Sequence, residues 1–226
     1  DKYKIQKGEI GLGYEDFVKT IWHKTGTHLD FPINFNVVDA TKQSVLLEMK
    51  SYKIQAFPTK HRIDTCGFRI DELRGNWSLK PEAKDLFNLT YHEINLLKKG
   101  DPVNRKGGVI IDPAKCCIAP DKPRSYVFAA DTAFTPKVVD AASDATLLYH
   151  EATFMEADKQ IAIKTKHSTA SDAGRVAKEA NVDNLMLGHF SNRYRHLEDL
   201  LSEAQAVFKK TFLAIEGDTV SIENLD

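Results

Sequence analysis

An α/β fold is what this sequence predicts, and three observations predict it. After about residue 108, short apolar runs alternate with stretches of helical periodicity. Leu197, Leu200, Leu201, Ala204 and Phe208 form the clearest amphipathic stripe. Several of the apolar runs end in an acid or a histidine: Asp131 after 126–130, His150 and Glu151 after 147–149, His189 after 185–188. Strands alternating with helices argue for α/β layers. Ligands of open α/β sheets gather at the carboxyl ends of the strands, where these side chains would stand.

In chain order, Phe17, Val18, Ile21 and Trp22 predict a helix over 14–24. Strands are expected at 34–38, 45–50 and 52–57, the last because Tyr52, Ile54 and Ala56 alternate with Lys53 and Gln55, and at 66–70. Between residues 74 and 107 the character changes. Seven Lys and Arg stand there against four acids, and the apolar anchors Ile94, Leu96 and Leu97 are sparse. This stretch reads as an insertion or arm, in which Ser78-Leu-Lys-Pro81 could start a helix. Beyond it, strands are expected at 108–111, 125–130, 145–149, 184–188, 211–215 and 219–222. Helices are expected at 136–141, 170–180 (with Ser171 as N-cap) and 197–208.

The bulk numbers bound the rest. With 226 residues, 42% hydrophobic and 28% charged, the chain is long enough for one domain, 1–226, with a substantial core. Lys+Arg is 31 and Asp+Glu is 32, so no global field favours nucleic acid or an anionic membrane. Three cysteines do not suggest a disulfide framework, and a reducing cytoplasm is the simpler reading. There is no run of 18 or more apolar residues and no signal-peptide pattern, so no membrane partner is expected.

His61, Asp131 and His189 supply two imidazoles and one carboxylate, a ligand set suited to zinc. Taken singly, each has a plainer explanation as a loop histidine, a turn aspartate or a strand-end histidine. Two ions bridged by a carboxylate would activate water and stabilise both oxygens of a phosphodiester displacement. Glu151 can fix the tautomer of a histidine and support proton donation to a leaving alkoxide, with His167 as its partner. His150 reads as a core histidine or a second layer. Arg193 could clamp a phosphate or sit in a surface ion pair.

Ala130-Asp-Thr132, His150-Glu-Ala-Thr-Phe154, His167-Ser-Thr169 and Gly188-His-Phe-Ser-Asn-Arg-Tyr194 fall in the order and spacing of the ribonuclease Z family. Upstream, Thr27-His-Leu-Asp-Phe-Pro32, Pro58-Thr-Lys-His61 and Cys66-Gly-Phe-Arg-Ile70 also resemble that family's segments. The resemblance covers nearly the whole chain. It implies a metallo-β-lactamase αββα sandwich and a tRNA 3′-processing endonuclease working with zinc. It further implies that His61 binds the first zinc, Asp131 bridges both and His189 binds the second. Glu151 and His167 would form the proton relay, and Arg193 would lie near substrate phosphate. The implied partners are precursor tRNA, gripped by the 74–107 arm, and a second copy of the chain in a homodimer.

The sequence departs from the family in three places. Asn88-Leu-Thr-Tyr-His-Glu93 stands where the arm often carries a Gly/Pro-rich tip, and Ala130 replaces a glycine. No two histidines are spaced i, i+2, so the family's His-x-His-x-Asp-His motif, which supplies further metal ligands, is absent from these residues. The chain therefore reads as roughly the C-terminal three-quarters of such an enzyme, its sandwich incomplete at the N-terminus. Two other readings stay open: a relative hydrolysing small phosphodiesters or sulfate esters, and an inactive fragment that binds RNA or another subunit.

Overall fold

The computed structural model describes residues 9–10 and 14–225. The chain divides into two compact units, one comprising residues up to 48, 53–71 and 124 onward, the other 49–52 and 72–123.

The first unit is built on a seven-stranded sheet. Its strands are β1 (Ser44–Glu48), β2 (Tyr52–Pro58), β3 (Cys66–Glu72), β4 (Ser125–Ala129), β5 (Leu147–Glu151), β6 (Asn184–Gly188) and β7 (Thr211–Leu213), in the order β7-β6-β5-β4-β3-β2-β1. β4 to β7 pair in parallel; β4 meets β3, and β2 meets β1, in antiparallel fashion. Helices are α1 (Tyr14–Thr25), α2 (Pro136–Ala142), α3 (Lys159–Thr165), α4 (Ala170–Glu179) and α5 (Leu197–Val207).

Register sorts the parallel strands into two faces. Val127, Leu148 and Leu185 align across β4, β5 and β6, all fully buried in the core with Val138, Val176 and Leu200 of the helices. Each such side chain contributes about 1.5–3 kcal/mol by leaving water. Phe128, Tyr149 and Met186 align on the opposite face and are half-buried; the first two rings stack at 4.8 Å. α4 and α5 approach closely at Gly174, where a Cβ would meet the Val207 side chain at 2.9 Å.

The helix starts follow capping rules. Thr169 caps α4: its hydroxyl accepts from Asp172 N, and the Asp172 side chain accepts from Thr169 N. The expected cap, Ser171, instead lies inside the first turn. A Thr-x-x-Asp box outcompetes a lone serine because it satisfies two free N–H groups at once.

The other corrections are local. The 219–222 stretch is not a strand; its last residue opens a short 3-10 helix, Ile222–Asn224. Near 34–38 only Val38–Asp39 is strand, paired with Glu9–Ile10 outside the main sheet. The strand expected at 108–111 is Ile110–Ile111, in the second unit. Ser78–Leu79 forms a strand with Cys117–Ile118 rather than a helix start.

The second unit has its own small core of Ala83, Leu89, Leu97, Val103, Ile111, Cys116 and Cys117. Its main helix, Tyr91–Lys99, has a Thr90–Glu93 capping box and ends at Gly100 with φ 87°. Arg105 donates to Glu93 at 2.7 Å and to Asn88 O at 3.0 Å. Hydrogen bonding from Arg105, then from Thr90 N, pulls the Glu93 carboxyl down to about 2.

Candidate metal centre

Asp131 stands two residues past β4 and His189 one residue past β6. Both have left-handed backbone, φ 49° and 55°, and Lys166, just before His167, has φ 60°. Asp and His tolerate this region better than most residues, and it costs on the order of 1–3 kcal/mol. The effect is to turn the chain sharply at a sheet or helix end and aim each side chain across the strand tips. Asp131, Glu151, His167 and His189 consequently offer ligand atoms that all lie within 4.8 Å of one another. Carboxylate oxygen plus imidazole nitrogen is a donor set that suits a divalent cation.

Glu151 is the pivot of the group and is fully buried. Oε1 accepts from Thr132 N; Oε2 accepts from Thr153 Oγ1 at 2.6 Å and Ser168 N at 3.0 Å. His167 Nδ1 lies 3.1 and 3.0 Å from the two oxygens. Burial opposes the charge, but bonds from His167, Thr153, Ser168 N and Thr132 N outweigh it and hold the carboxyl below the usual range. The hydrogen bond to Glu151 raises His167 against its partial burial, with the Asp131 charge adding to it. Four donors thus converge on the Glu151 carboxylate, which also lies within reach of the other three side chains of the group.

The loops holding these groups are laced together. Ala152 N donates to Gly188 O at 2.8 Å and Ser191 N to Thr153 O at 3.2 Å. Phe154 N reaches Ser168 O at 3.2 Å, and Ala170 N reaches Phe154 O at 2.8 Å. The Gly188 position has no room for a side chain, since a Cβ would overlap the Tyr149 hydroxyl.

His61 does not belong to the four-residue group. Its ring lies 4.8 Å from that of His167, and its Nδ1 bonds Lys166 O at 3.1 Å. Its backbone is tied in as well: Lys166 Nζ donates to His61 O, and Ala133 N to Lys60 O. Arg193 pairs with Asp158 at 3.3 Å and lies over the Phe154 ring at 4.9 Å. His150 is fully buried; its Nδ1 bonds Glu151 O at 2.7 Å, its Nε2 has no partner among the described residues, and burial lowers its basicity.

Sequence reasoning passed over Thr153. Its hydroxyl sits between Glu151 and His189, 2.9 Å from Nδ1 of the latter. The only signal was its place in His150-Glu-Ala-Thr-Phe154.

No protein-family model matches the chain. Curated relatives do. Ribonuclease Z of Porphyromonas gingivalis is 34% identical over 204 residues, spanning 90% of this chain and 67% of the relative. Ribonuclease Z of Bacteroides fragilis is 36% identical over 194 residues, covering 86% and 64%. That of Synechocystis sp. is 34% identical over 221 residues, covering 95% and 67%. The chain thus spans about two thirds of the length of the curated relatives it matches. The crystal structure of human tRNase Z, short form, aligns over 93% of this chain and 65% of its own, with a TM-score of 0.56 at 19% identity. That likeness establishes the shared fold, the metallo-β-lactamase fold expected above.

Proposed function

The chain belongs to the ribonuclease Z family, and on that premise we propose that it carries the catalytic strand-end cluster of a zinc-dependent endoribonuclease that removes the 3′ trailer of precursor tRNA. Family membership makes it part of a hydrolytic nuclease for tRNA 3′ processing with a divalent metal. The observation that carries the reading is the convergence of Asp131, Glu151, His167 and His189 from four separate segments onto one point.

The residues present supply donors of the kind such a metal takes, as one part of the family's full ligand set. Asp131 and His189 would hold it, with His61 completing the donors this chain contributes. When bound, zinc supplies a water of lowered pKa and a sink for developing negative charge. The chain's own residues do the rest. Glu151 holds His167 by Nδ1 and favours its protonated form, so Nε2 can keep a proton ready for the leaving 3′-oxygen. Arg193, braced by Asp158 and the Phe154 ring, retains donors for a substrate phosphate.

The proposal includes the 74–107 arm as the tRNA grip, a homodimer and a cytoplasmic setting. The arm's surplus of Lys and Arg supports the first. Among the described residues, no helix is long and apolar enough to cross a membrane.

The test is cleavage of a 3′-extended pre-tRNA, alongside a small chromogenic phosphodiester, by the zinc-loaded chain joined to a relative's His-x-His-x-Asp-His segment. The expected result is a mature 3′ end. Turnover of the small diester with no cutting of any pre-tRNA would overturn the tRNA assignment.

A further inference from the structure

The imidazoles of His61, His167 and His189 are all tied back through Nδ1. For two of them the tautomer is unambiguous. His61 Nδ1 faces the Lys166 carbonyl at 3.1 Å, and His167 Nδ1 faces the Glu151 carboxylate at 3.0 Å. Both partners only accept, so both Nδ1 atoms carry hydrogen. His189 differs, because its partner is a hydroxyl that can either donate or accept.

Glu151 resolves the ambiguity. Thr153 has one hydroxyl hydrogen and three neighbours: Glu151 Oε2 at 2.6 Å, His189 Nδ1 at 2.9 Å and His189 O at 2.9 Å. Ser168 N already donates to Oε2, and Thr132 N to Oε1, so the carboxylate oxygens act as acceptors. The Thr153 hydrogen belongs on Oε2, the shortest and charge-assisted contact. Placing it on His189 O instead would leave a hydroxyl oxygen and a carboxylate oxygen unshielded at 2.6 Å, a closer and more strongly charged pair than the 2.9 Å contact with the His189 carbonyl. Once that hydrogen is committed, only lone pairs of the hydroxyl face Nδ1, which must therefore be the N–H donor.

We propose that Thr153 is a positioning residue that sets the tautomer of His189, so that Nε2 presents a lone pair to a divalent cation. This deepens the metal-site reading above and rests on it. Nε2 lies 3.6 Å from Asp131 Oδ1. With the ring hydrogen on Nδ1, two electron-pair donors face each other with no proton to share, an arrangement that favours a cation between them. Glu151 then governs both rings, His167 directly and His189 through the Thr153 hydroxyl. Such outer partners of a ligating histidine typically change metal affinity by about 10–100-fold when removed.

Nitrogen-15 spectroscopy of the imidazoles in the metal-free full chain, above the titration range of its histidines, reads the tautomer directly. His189 should show a protonated Nδ1 and an unprotonated Nε2. Thr153→Val, which keeps the shape and loses the hydroxyl, should shift the ring toward the Nε2–H form. The same variant should weaken the binding of Zn²⁺ alone, measured against a chromophoric chelator, by about 10–100-fold. Thr153→Ser should restore both. A wild-type His189 in the Nε2–H form overturns the proposal, and so does a Thr153→Val protein with unchanged tautomer and zinc affinity. If the valine variant does not fold, the wild-type and Thr153→Ser spectra still decide. Neither readout involves RNA, so a protein with the proposed tautomer that cuts no pre-tRNA would sink the nuclease assignment and leave this one standing.

Discussion

Leu148, Leu185 and Leu187 in the parallel strands are fully buried, whereas Val45, Leu46 and Leu47 in β1 are 53%, 41% and 41% exposed. All six are ordinary strand formers on one sheet, so propensity does not separate them. Connection does. Parallel strands must be joined by crossovers, and α2, α4 and α5 supply helices that seal one face of β4 to β7. β1 to β3 follow one another with short connections that bring no helix. The difference reaches the site. The parallel side places Asp131, Glu151 and His189 at the tips of β4, β5 and β6, with His167 entering from the α3–α4 connection, and Glu151 bonds His167 directly and His189 through Thr153. The antiparallel side contributes His61, which stands outside that group. A dense core and a preset site occur together because the same helices fix the strand ends.

The comparison can be broken most severely at Asp131. Asp131→Asn keeps a residue tolerant of left-handed backbone but removes the charge, and it should abolish zinc binding and turnover together. Retention of the metal would place the ion elsewhere. His167→Ala should lower the cleavage rate by about 10²–10⁴-fold while zinc still binds, as expected for loss of a proton donor. Loss of zinc in that variant, seen by metal analysis, would instead make His167 a ligand.

Stability measurements probe the two halves of the sheet themselves. Leu187→Ala should cost about 2–5 kcal/mol in denaturant unfolding, because a sealed site leaves a cavity. Arg69 links the halves: from β3 it donates to Ala141 O and Ser143 O at the end of α2, both at 2.8 Å. Arg69→Met should cost about 1–3 kcal/mol by orphaning those carbonyls. Leu46→Ala should change unfolding by no more than about 0.5 kcal/mol. Equal costs for Leu187 and Leu46 would show that the exposed strand is covered in solution and erase the contrast.

Much of the parallel side was readable in advance because its signals are local. An apolar run followed by Asp131, Glu151 or His189 announces a strand and its tip in one short segment. α5 was equally plain from its leucine stripe. What could not be read depends on contacts far apart in sequence. Thr153 is meaningful only once His189, 36 residues away, is brought beside it. Ser171 looked like a cap because it opens a helical pattern, yet Thr169 wins by pairing with Asp172. The expected strand at 219–222 finds no partner strand among the described residues. His61 was recognised as a ligand candidate, but one histidine cannot reveal how near the others it will stand.

Pre-tRNA cleavage by the chain joined to a relative's His-x-His-x-Asp-His segment, as wild type and as Asp131→Asn, stripped of metal and then titrated with zinc, tests most directly whether the parallel strand tips hold the metal on which cleavage depends. The account predicts that zinc restores 3′ trimming to the wild type and at no concentration to the variant. Trimming by Asp131→Asn at the wild-type rate would contradict it.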